Sequence, residues 1–509
     1  METPENENSN TQKSDMTVPI GAKGTVIGTE KIKPVDWSQE GKLFAKRAKV
    51  FPKRVKGFYR SAKWAMMAVL LGIYYLTPWL RWDRGPFMPD QGVLVDLPGR
   101  RFYFFMVEIW PNEVYYITGL LLLAAIGLFL ITAVWGRMWC AWGCPQTVWT
   151  DLYMLVERKV EGDRNARMKL DAAKWTFDKI WKRVLKHSIW ILIAMGTGGA
   201  WVFYFMDAPT LAAQLAMGTA PYEAYITIAF LTFTTYLMAG HAREQVCTYA
   251  CPYARFQSVM IDKDSCIITY KADRGEKRGK AKRGASFEGR GHCIDCTQCV
   301  AVCPMGIDIR KGMQIECINC GLCADACDHV MDLMNLPHGL IGHDSEANVE
   351  RRSQGLPNKR VLWRPRTVIY SVIMVAAASL MLFTLIMRPV VDSAVQRDRN
   401  PVFVLLSNGD IRNGFTLKVM NKLYQHRTYQ LSVEGLDDAT ITVVGVHADE
   451  EGRWLVTVNP DDIGHFRVLV STHKASLEGS NTPFGIRIVD VENGNTVLQS
   501  TAFKGPNAS

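Results

Sequence analysis

Two runs of four cysteines with one shared spacing, C-x2-C-x2-C-x3-C, constrain this chain more than any other feature. They read Cys293-Ile-Asp-Cys296-Thr-Gln-Cys299-Val-Ala-Val-Cys303-Pro304 and Cys317-Ile-Asn-Cys320-Gly-Leu-Cys323-Ala-Asp-Ala-Cys327-Asp328. Tight turns let the first three thiolates of a run converge on one iron–sulfur cubane, while the fourth, displaced along the chain, ligates the neighbouring cluster. The spacing therefore predicts one 4Fe-4S cluster on Cys293, Cys296, Cys299 and Cys327, and a second on Cys317, Cys320, Cys323 and Cys303. Pro304, Gly306 and Gly321 suit the compact backbone this needs. Asp328 stands where proline usually follows the fourth cysteine, which alters a turn and removes no ligand. Paired zinc sites also use C-x2-C spacing, but two identical four-cysteine runs favour the two-cluster, bacterial-ferredoxin-like arrangement.

The apolar residues of the 509-residue chain collect in five windows, residues 64–80, 114–135, 188–206, 222–240 and 367–387. Each has about the 20 residues a helix needs to cross a bilayer, so the expectation is a five-span bundle. The first window follows about 60 polar and basic residues, too far in for a cleaved signal peptide. Lys and Arg then set the orientation, because short loops rich in them stay in the cytoplasm. Residues 137–186 are dense in both, whereas 207–221 contain neither. That predicts 1–63, 136–187 and 241–366 inside and 81–113, 207–221 and 388–509 outside. Residues 1–40 lack apolar periodicity and are expected to be disordered. The net charge of +10 reflects the inside loops, and the basic run 277–283 is read as a solvated or anionic-lipid-facing surface, not a nucleic-acid site.

All thirteen cysteines lie between positions 140 and 327, on the inside of this topology, which excludes a disulfide framework and favours reduced thiolate ligands. Four of them form a repeat: Trp135-Gly-Arg-Met-Trp-Cys140-Ala-Trp-Gly-Cys144-Pro145 and Arg243-Glu-Gln-Val-Cys247-Thr-Tyr-Ala-Cys251-Pro252. At a constant offset Trp142 answers to Tyr249, Trp149 to Phe256 and Pro145 to Pro252. On a helical turn positions i and i+4 share a face, so each motif offers two sulfurs to one ion. If the repeats pack together, Cys140, Cys144, Cys247 and Cys251 form a soft site for Cu(I), zinc or an iron–sulfur cluster. The alternative is that these are buried reduced thiols capping a span. Cys266 pairs with nothing by spacing and is expected to be inert. Met138, His241 and His292 lie near the motifs as secondary ligand candidates, with structural roles favoured. Trp135, Trp139, Trp142 and Trp149 read as an interfacial aromatic belt.

From about residue 400 the pattern changes to alternating runs at 415–420, 428–433, 440–444, 454–458, 466–470 and 484–488. Period-two alternation broken by Gly, Asn, Asp and Pro is strand patterning at sandwich spacing, so an immunoglobulin-like β-sandwich is expected without a disulfide. The resulting division is 1–60, a disordered basic N-terminus; 61–260, a four-span membrane domain; 261–366, the ferredoxin-like domain; 367–388, a fifth transmembrane helix; and 389–509, the β domain.

The doubled C-x3-C-P, the doubled cysteine run, the following apolar window and the terminal β domain, in that order, closely resemble the cytochrome c oxidase accessory protein family known as CcoG, FixG or RdxA. Segments such as 135–145 and 412–422 carry the resemblance beyond the ferredoxin part. It implies a multi-pass protein of the bacterial inner membrane, clusters in the cytoplasm and the β domain in the periplasm. It also implies a cupric reductase that converts Cu(II) to Cu(I) for assembly of a cbb-type oxidase, with copper as substrate at Cys140, Cys144, Cys247 and Cys251. The implied partners are a copper-exporting ATPase and oxidase assembly factors, beside the lipid bilayer. A cytoplasmic electron donor and a homodimer also belong among the expectations. The rival readings are a quinol-oxidising electron-transfer subunit, a non-enzymatic copper chaperone or scaffold, and a redox-sensing signalling protein, which finds no output domain here.

Overall fold

The computed structural model describes residues 49–85, 88–359, 363–389, 391–477 and 479–506. The expected disorder of residues 1–40 therefore falls outside the described residues. The fold divides into two units, each assembled from separate stretches of chain. Met1–Met66, Val134–Leu185 and Ala242–Val361 make the first, and Met67–Ala133, Lys186–His241 and Leu362–Ser509 the second. Both C-x3-C-P motifs thus belong to the same unit as the two cysteine runs.

In the first unit the short helix Gln298–Val302 carries the third cysteine of run one, and Leu322–Met334 carries Cys323 and Cys327 of run two. Strands Ile267–Tyr270 and Ile341–Asp344 pair antiparallel beneath them, with Ile268 opposite His343. Ile268, Val300, Val330, Met331 and Leu340 fill the core between these elements. Residues 49–57 run along this unit: the Lys53 N–H donates to Ala301 O at 2.8 Å. Where Phe58–Leu76 starts, the Asp325 carboxylate accepts from the Tyr59 and Arg60 N–H groups at 3.1 and 2.7 Å. An anion suits the unsatisfied N–H groups of a helix start.

In the second unit the C-terminal residues form two antiparallel sheets. One runs Thr440–Val443, Asp462–Thr472, Ile411–Asn421 and Val391–Arg397, with Val404–Leu405 also on Ile411–Asn421. The other runs Trp454–Val458, Arg427–Glu434, Asn481–Asp490 and Thr496–Lys504. Alternation turns Phe415, Leu417 and Val419 inward, where they meet Tyr429, Leu431, Ile486 and Ile488 of the other sheet. The immunoglobulin-like expectation fits this arrangement. Phe415 is fully buried, with its ring 5.4 Å from that of Phe484. Phe415→Ala is expected to cost about 3–5 kcal/mol, read as a lower denaturation midpoint of the β domain within the full chain. In the same unit the start of Pro111–Trp135 is tied to the sandwich, because Glu113 takes Lys422 Nζ at 2.7 Å.

The five-span bundle is corrected by the structure. Among the described residues only two helices, Pro111–Trp135 and Pro365–Ile386, are long and apolar enough to cross a membrane. The other three windows fail for separate reasons. The window at 64–80 belongs to helix Phe58–Leu76, which starts earlier and takes in Arg60 and Lys63, both salt-bridged to Asp151. The window at 188–206 is the end of Phe177–Val202, whose opening turns carry Asp178, Lys179, Lys182, Arg183 and Lys186. In the window at 222–240 the α-helix lasts only 14 residues, Tyr222–Thr235, and continues as the wider π turns of Tyr236–Ala242.

Candidate functional site

The two runs fold alike because the same positions take the left-handed conformation. Asp295 and Asn319, one residue before the second cysteine, have φ of 54° and 62°, and Thr297 and Gly321, one residue after it, have 53° and 76°. Asp and Asn tolerate this region. Glycine is required at 321, where a Cβ would meet the Tyr59 ring at 2.4 Å. Each turn aims the third cysteine, Cys299 or Cys323, inward from the start of a helix.

In space the fourth cysteines change places. Cys293, Cys296, Cys299 and Cys327 line one cavity with Tyr270, Val330, Met331, Leu340 and Arg310. Burial pushes the Cys327 thiol up, and Cys299, Cys296 and Cys293 add to it. Cys303 is pushed up by burial, then by Cys320 and Cys317, which places it with the second run. Cys323 rises through burial and the neighbouring Cys320, Cys317 and Cys303. Burial likewise holds Cys299 at about 12 and Cys317 at about 11. Sulfurs packed this way resist becoming thiolates unless a cation arrives to share the charge. Two four-sulfur sets, buried or half-buried, therefore fit two 4Fe-4S clusters. Among the described residues no three His, Cys, Asp or Glu side chains close on a single ion, so each set surrounds a space and not a point.

The C-x3-C-P motifs differ from the shared helical face expected of them. Cys140 sits in the five-residue helix Met138–Trp142, but Cys144 lies beyond it with extended backbone, φ −66° and ψ 126°. Cys251 is extended too, at −79° and 112°. The cause is the next residue, since proline disfavours helical backbone in the residue before it and itself starts a new helix well. Pro145–Glu161 and Pro252–Met260 begin there.

The repeats nonetheless interlock. Arg137 Nη2 of the first donates to Ala254 O of the second at 2.5 Å, and Gln146 Nε2 donates to Arg243 O at 3.3 Å in return. Cys140 Sγ reaches Gln257 Oε1 at 3.4 Å. Burial pushes Cys247 up to about 12, with Cys144, Cys140 and Cys251 all contributing and Arg137 opposing. Burial also holds Cys140 at about 11, the Gln257 hydrogen bond opposing it. Cys140, Cys144 and Cys251 therefore all lie within electrostatic reach of Cys247. Cys140 and Cys247 further pack on the same buried group, Val302, Met305, Ile307, Ile318 and Leu322, as Cys303, Cys317 and Cys323.

Sequence reasoning passed over two residues here. Arg137, only 4% exposed, sits within electrostatic reach of Cys140, Cys247 and Cys317. An arginine just before each motif, Arg137 and Arg243, was the available signal. Asn319 accepts from the Ile268 N–H and donates to Trp135 O at 2.9 Å, tying run two to the end of an apolar helix. The remaining candidates fall elsewhere. Cys266 bonds through its N–H to Val134 O at 2.9 Å, and His292 accepts from Arg274 Nε at 2.9 Å. His241 lies in the second unit, stacked 5.8 Å from His187. Met138 lies on the short helix with Cys140. Trp135 and Trp139 are exposed, whereas Trp142 and Trp149 are partly buried.

Two four-cysteine sets beside a four-thiol repeat, followed by an immunoglobulin-like sandwich, define an iron–sulfur redox protein. Family models agree: a 4Fe-4S dicluster domain matches residues 242–346, a 4Fe-4S binding domain matches 117–161, and the IG-like fold at the C-terminus of FixG matches 381–506. Nitrogen fixation protein FixG of Rhizobium meliloti (strain 1021) is 45% identical over 497 residues, 92% of this chain and 95% of that protein. Protein RdxA of Cereibacter sphaeroides is 47% identical over 471 residues, 91% of this chain and 98% of its own. A solved FixG-related protein from Vibrio parahaemolyticus covers 23% of this chain and 98% of its own at 24% identity and a TM-score of 0.20. The chain belongs to the FixG/RdxA family.

Proposed function

We propose that this chain reduces Cu(II) to Cu(I) at Cys140, Cys144, Cys247 and Cys251, supplying copper to an exporting ATPase and to assembly of a cbb-type oxidase. The observation that carries the reading is the shared core: two of these four thiols pack on the same side chains as the second cysteine set. Bound by the two sets, 4Fe-4S clusters supply one-electron carriers. The chain's own residues do the rest. Soft thiolates hold the substrate and favour its Cu(I) state over Cu(II), so gain of one electron is downhill at sulfur. Among the described residues no three ligands close on one point, so a pair of sulfurs takes the ion, and each thiol releases its proton as it becomes the bound thiolate. Gln257 orients Cys140, and the Arg137 guanidinium offsets the thiolate charge. Helix Pro365–Ile386 separates the cysteine runs from the sandwich in sequence, which supports clusters on the cytoplasmic face and a periplasmic β domain.

The test is anaerobic Cu(II) reduction by chemically reduced protein, following chelated Cu(I), beside a variant with all four cysteines changed to serine. At equal cluster content the variant is expected to fall to background, and equal rates would remove copper from these residues. One observation favours a quinol-oxidising alternative: an apolar cavity of about 810 Å³, counting its open mouth, adjoins Cys317 and is lined by Ile261, Ile267, Ile309 and Met313 with Arg137. Cluster bleaching by a short-chain quinol selects that reading.

A further inference from the structure

We propose that the basic flap of residues 276–291 is the docking surface for an acidic one-electron carrier protein, so that electrons enter this chain beside Cys293. The proposal rests on the iron–sulfur reading above. Six basic residues, Lys277, Arg278, Lys280, Lys282, Arg283 and Arg290, stand in this flap against two acidic ones, Glu276 and Glu288. The first five are exposed. Among the described residues the Arg278 side chain makes one ion pair, at 3.8 Å to Glu276, whose carboxylate also accepts from the Arg278 N–H at 3.4 Å, and Lys277, Lys280, Lys282 and Arg283 make no ion pair. A surface built only for solubility intersperses the two signs.

The flap is built into the first cysteine site. The Gly279 N–H donates to Cys293 O, and the Gly291 N–H to Lys277 O, both at 3.1 Å. A Cβ at Gly291 would strike the Gly275 carbonyl oxygen at 2.1 Å, so the two strands of the flap's base touch. Ala281 and Phe287 pack on the buried group that contains Cys293 and Cys299 and that Cys296 and Cys327 also touch, together with Cys317 and Cys323 of the second set. The positive charge is thereby fixed to the loop bearing Cys293 and does not trail on a free tail.

The two cysteine sets also differ in what they face. The second shares its core with Cys140 and Cys247, which makes it the delivery end. The first carries the flap, which makes it the entry end. A lipid surface or a nucleic acid gains nothing from charges anchored to a cysteine-bearing loop, whereas electron transfer requires close approach. Complementary charge steers such encounters and is screened by salt. In the step itself the carrier loses one electron and this chain gains one, with no bond made and no proton moved.

The experiment uses the full chain in detergent and, as probe, an acidic plant-type 2Fe-2S ferredoxin. Its association is measured at low and high salt with wild type and a Lys277→Glu/Arg278→Glu/Lys280→Glu variant. Wild-type association is expected to slow as salt rises, and the variant to associate about tenfold or more slowly at low salt with little salt dependence. Methyl viologen radical, which needs no docking, is expected to bleach both proteins equally, showing that the variant is folded and loaded. Equal ferredoxin association by both proteins overturns the proposal. So does absence of ferredoxin binding while anionic vesicles bind wild type and lose the variant. If methyl viologen bleaches neither protein, the iron–sulfur reading falls first and this proposal with it.

Discussion

Cys327→Ala is expected to empty the site of Cys293, Cys296 and Cys299, lowering iron from about eight to about four atoms per chain, although Cys327 belongs in sequence to the other run. The reason is spatial: Cys327 lines the first cavity, while Cys303 is grouped with Cys317 and Cys320. Cys303→Ala is expected to empty the second site by the same logic. Iron and acid-labile sulfide assays on double variants decide the matter. Cys327→Ala with Cys299→Ala removes two ligands from one site and should lose no more iron than either alone. Cys327→Ala with Cys323→Ala strikes both sites and should lose nearly all of it. The reverse pattern would return Cys327 to its own run.

The second large effect is predicted at Asp151. Its carboxylate takes Lys63 Nζ at 2.9 Å and Arg60 Nη1 at 3.3 Å, with all three side chains at most 7% exposed. Asp151→Asn leaves two buried cations without their anion, and breaking such a pair typically costs about 3–5 kcal/mol. The loss should show as a lower unfolding midpoint in denaturant. A change under about 0.5 kcal/mol would sink the idea that this carboxylate holds the start of helix Phe58–Leu76. The pH dependence has a definite sign. Burial alone would raise the Asp151 carboxyl, but Lys63 and Arg60 outweigh it and the net shift is downward. A carboxyl held below its unfolded value, about 3.9, contributes fully above that pH and loses the contribution as pH falls through the folded value. The gap between wild type and Asp151→Asn should therefore persist at neutral pH and close only in acid below about 4.

What the sequence revealed divides by how local the information is. The cysteine runs were legible because ligand spacing is a short-range property, and even the exchange of fourth cysteines follows from it. The strand at Ile411–Asn421 was legible over its apolar part, 415–420. Val391–Arg397 beside it and Thr496–Lys504 at the edge of the other sheet were not, because Asp392, Ser393, Gln396 and Gln499 break the apolar alternation. Three apolar windows misled because a hydropathy window cannot see partners. Arg60 and Lys63 enter a helix on the strength of Asp151, about ninety positions away. The shared helical face of Cys140 and Cys144 gave way to Pro145, a constraint written in the motif itself. Arg137 was visible as a loop charge, but its place among three thiols depends on how the repeats interlock.

The exchange of fourth cysteines also fixes an order of manufacture. On a ribosome the upstream triad, Cys293, Cys296 and Cys299, emerges first yet stays one donor short until Cys327 appears. The downstream set, with Cys303 already waiting, is complete once Cys323 is out. The site that begins later therefore closes earlier, and a chain interrupted between the runs holds neither. The chain thus gains the last ligand of both sites within four residues of synthesis, Cys323 and then Cys327.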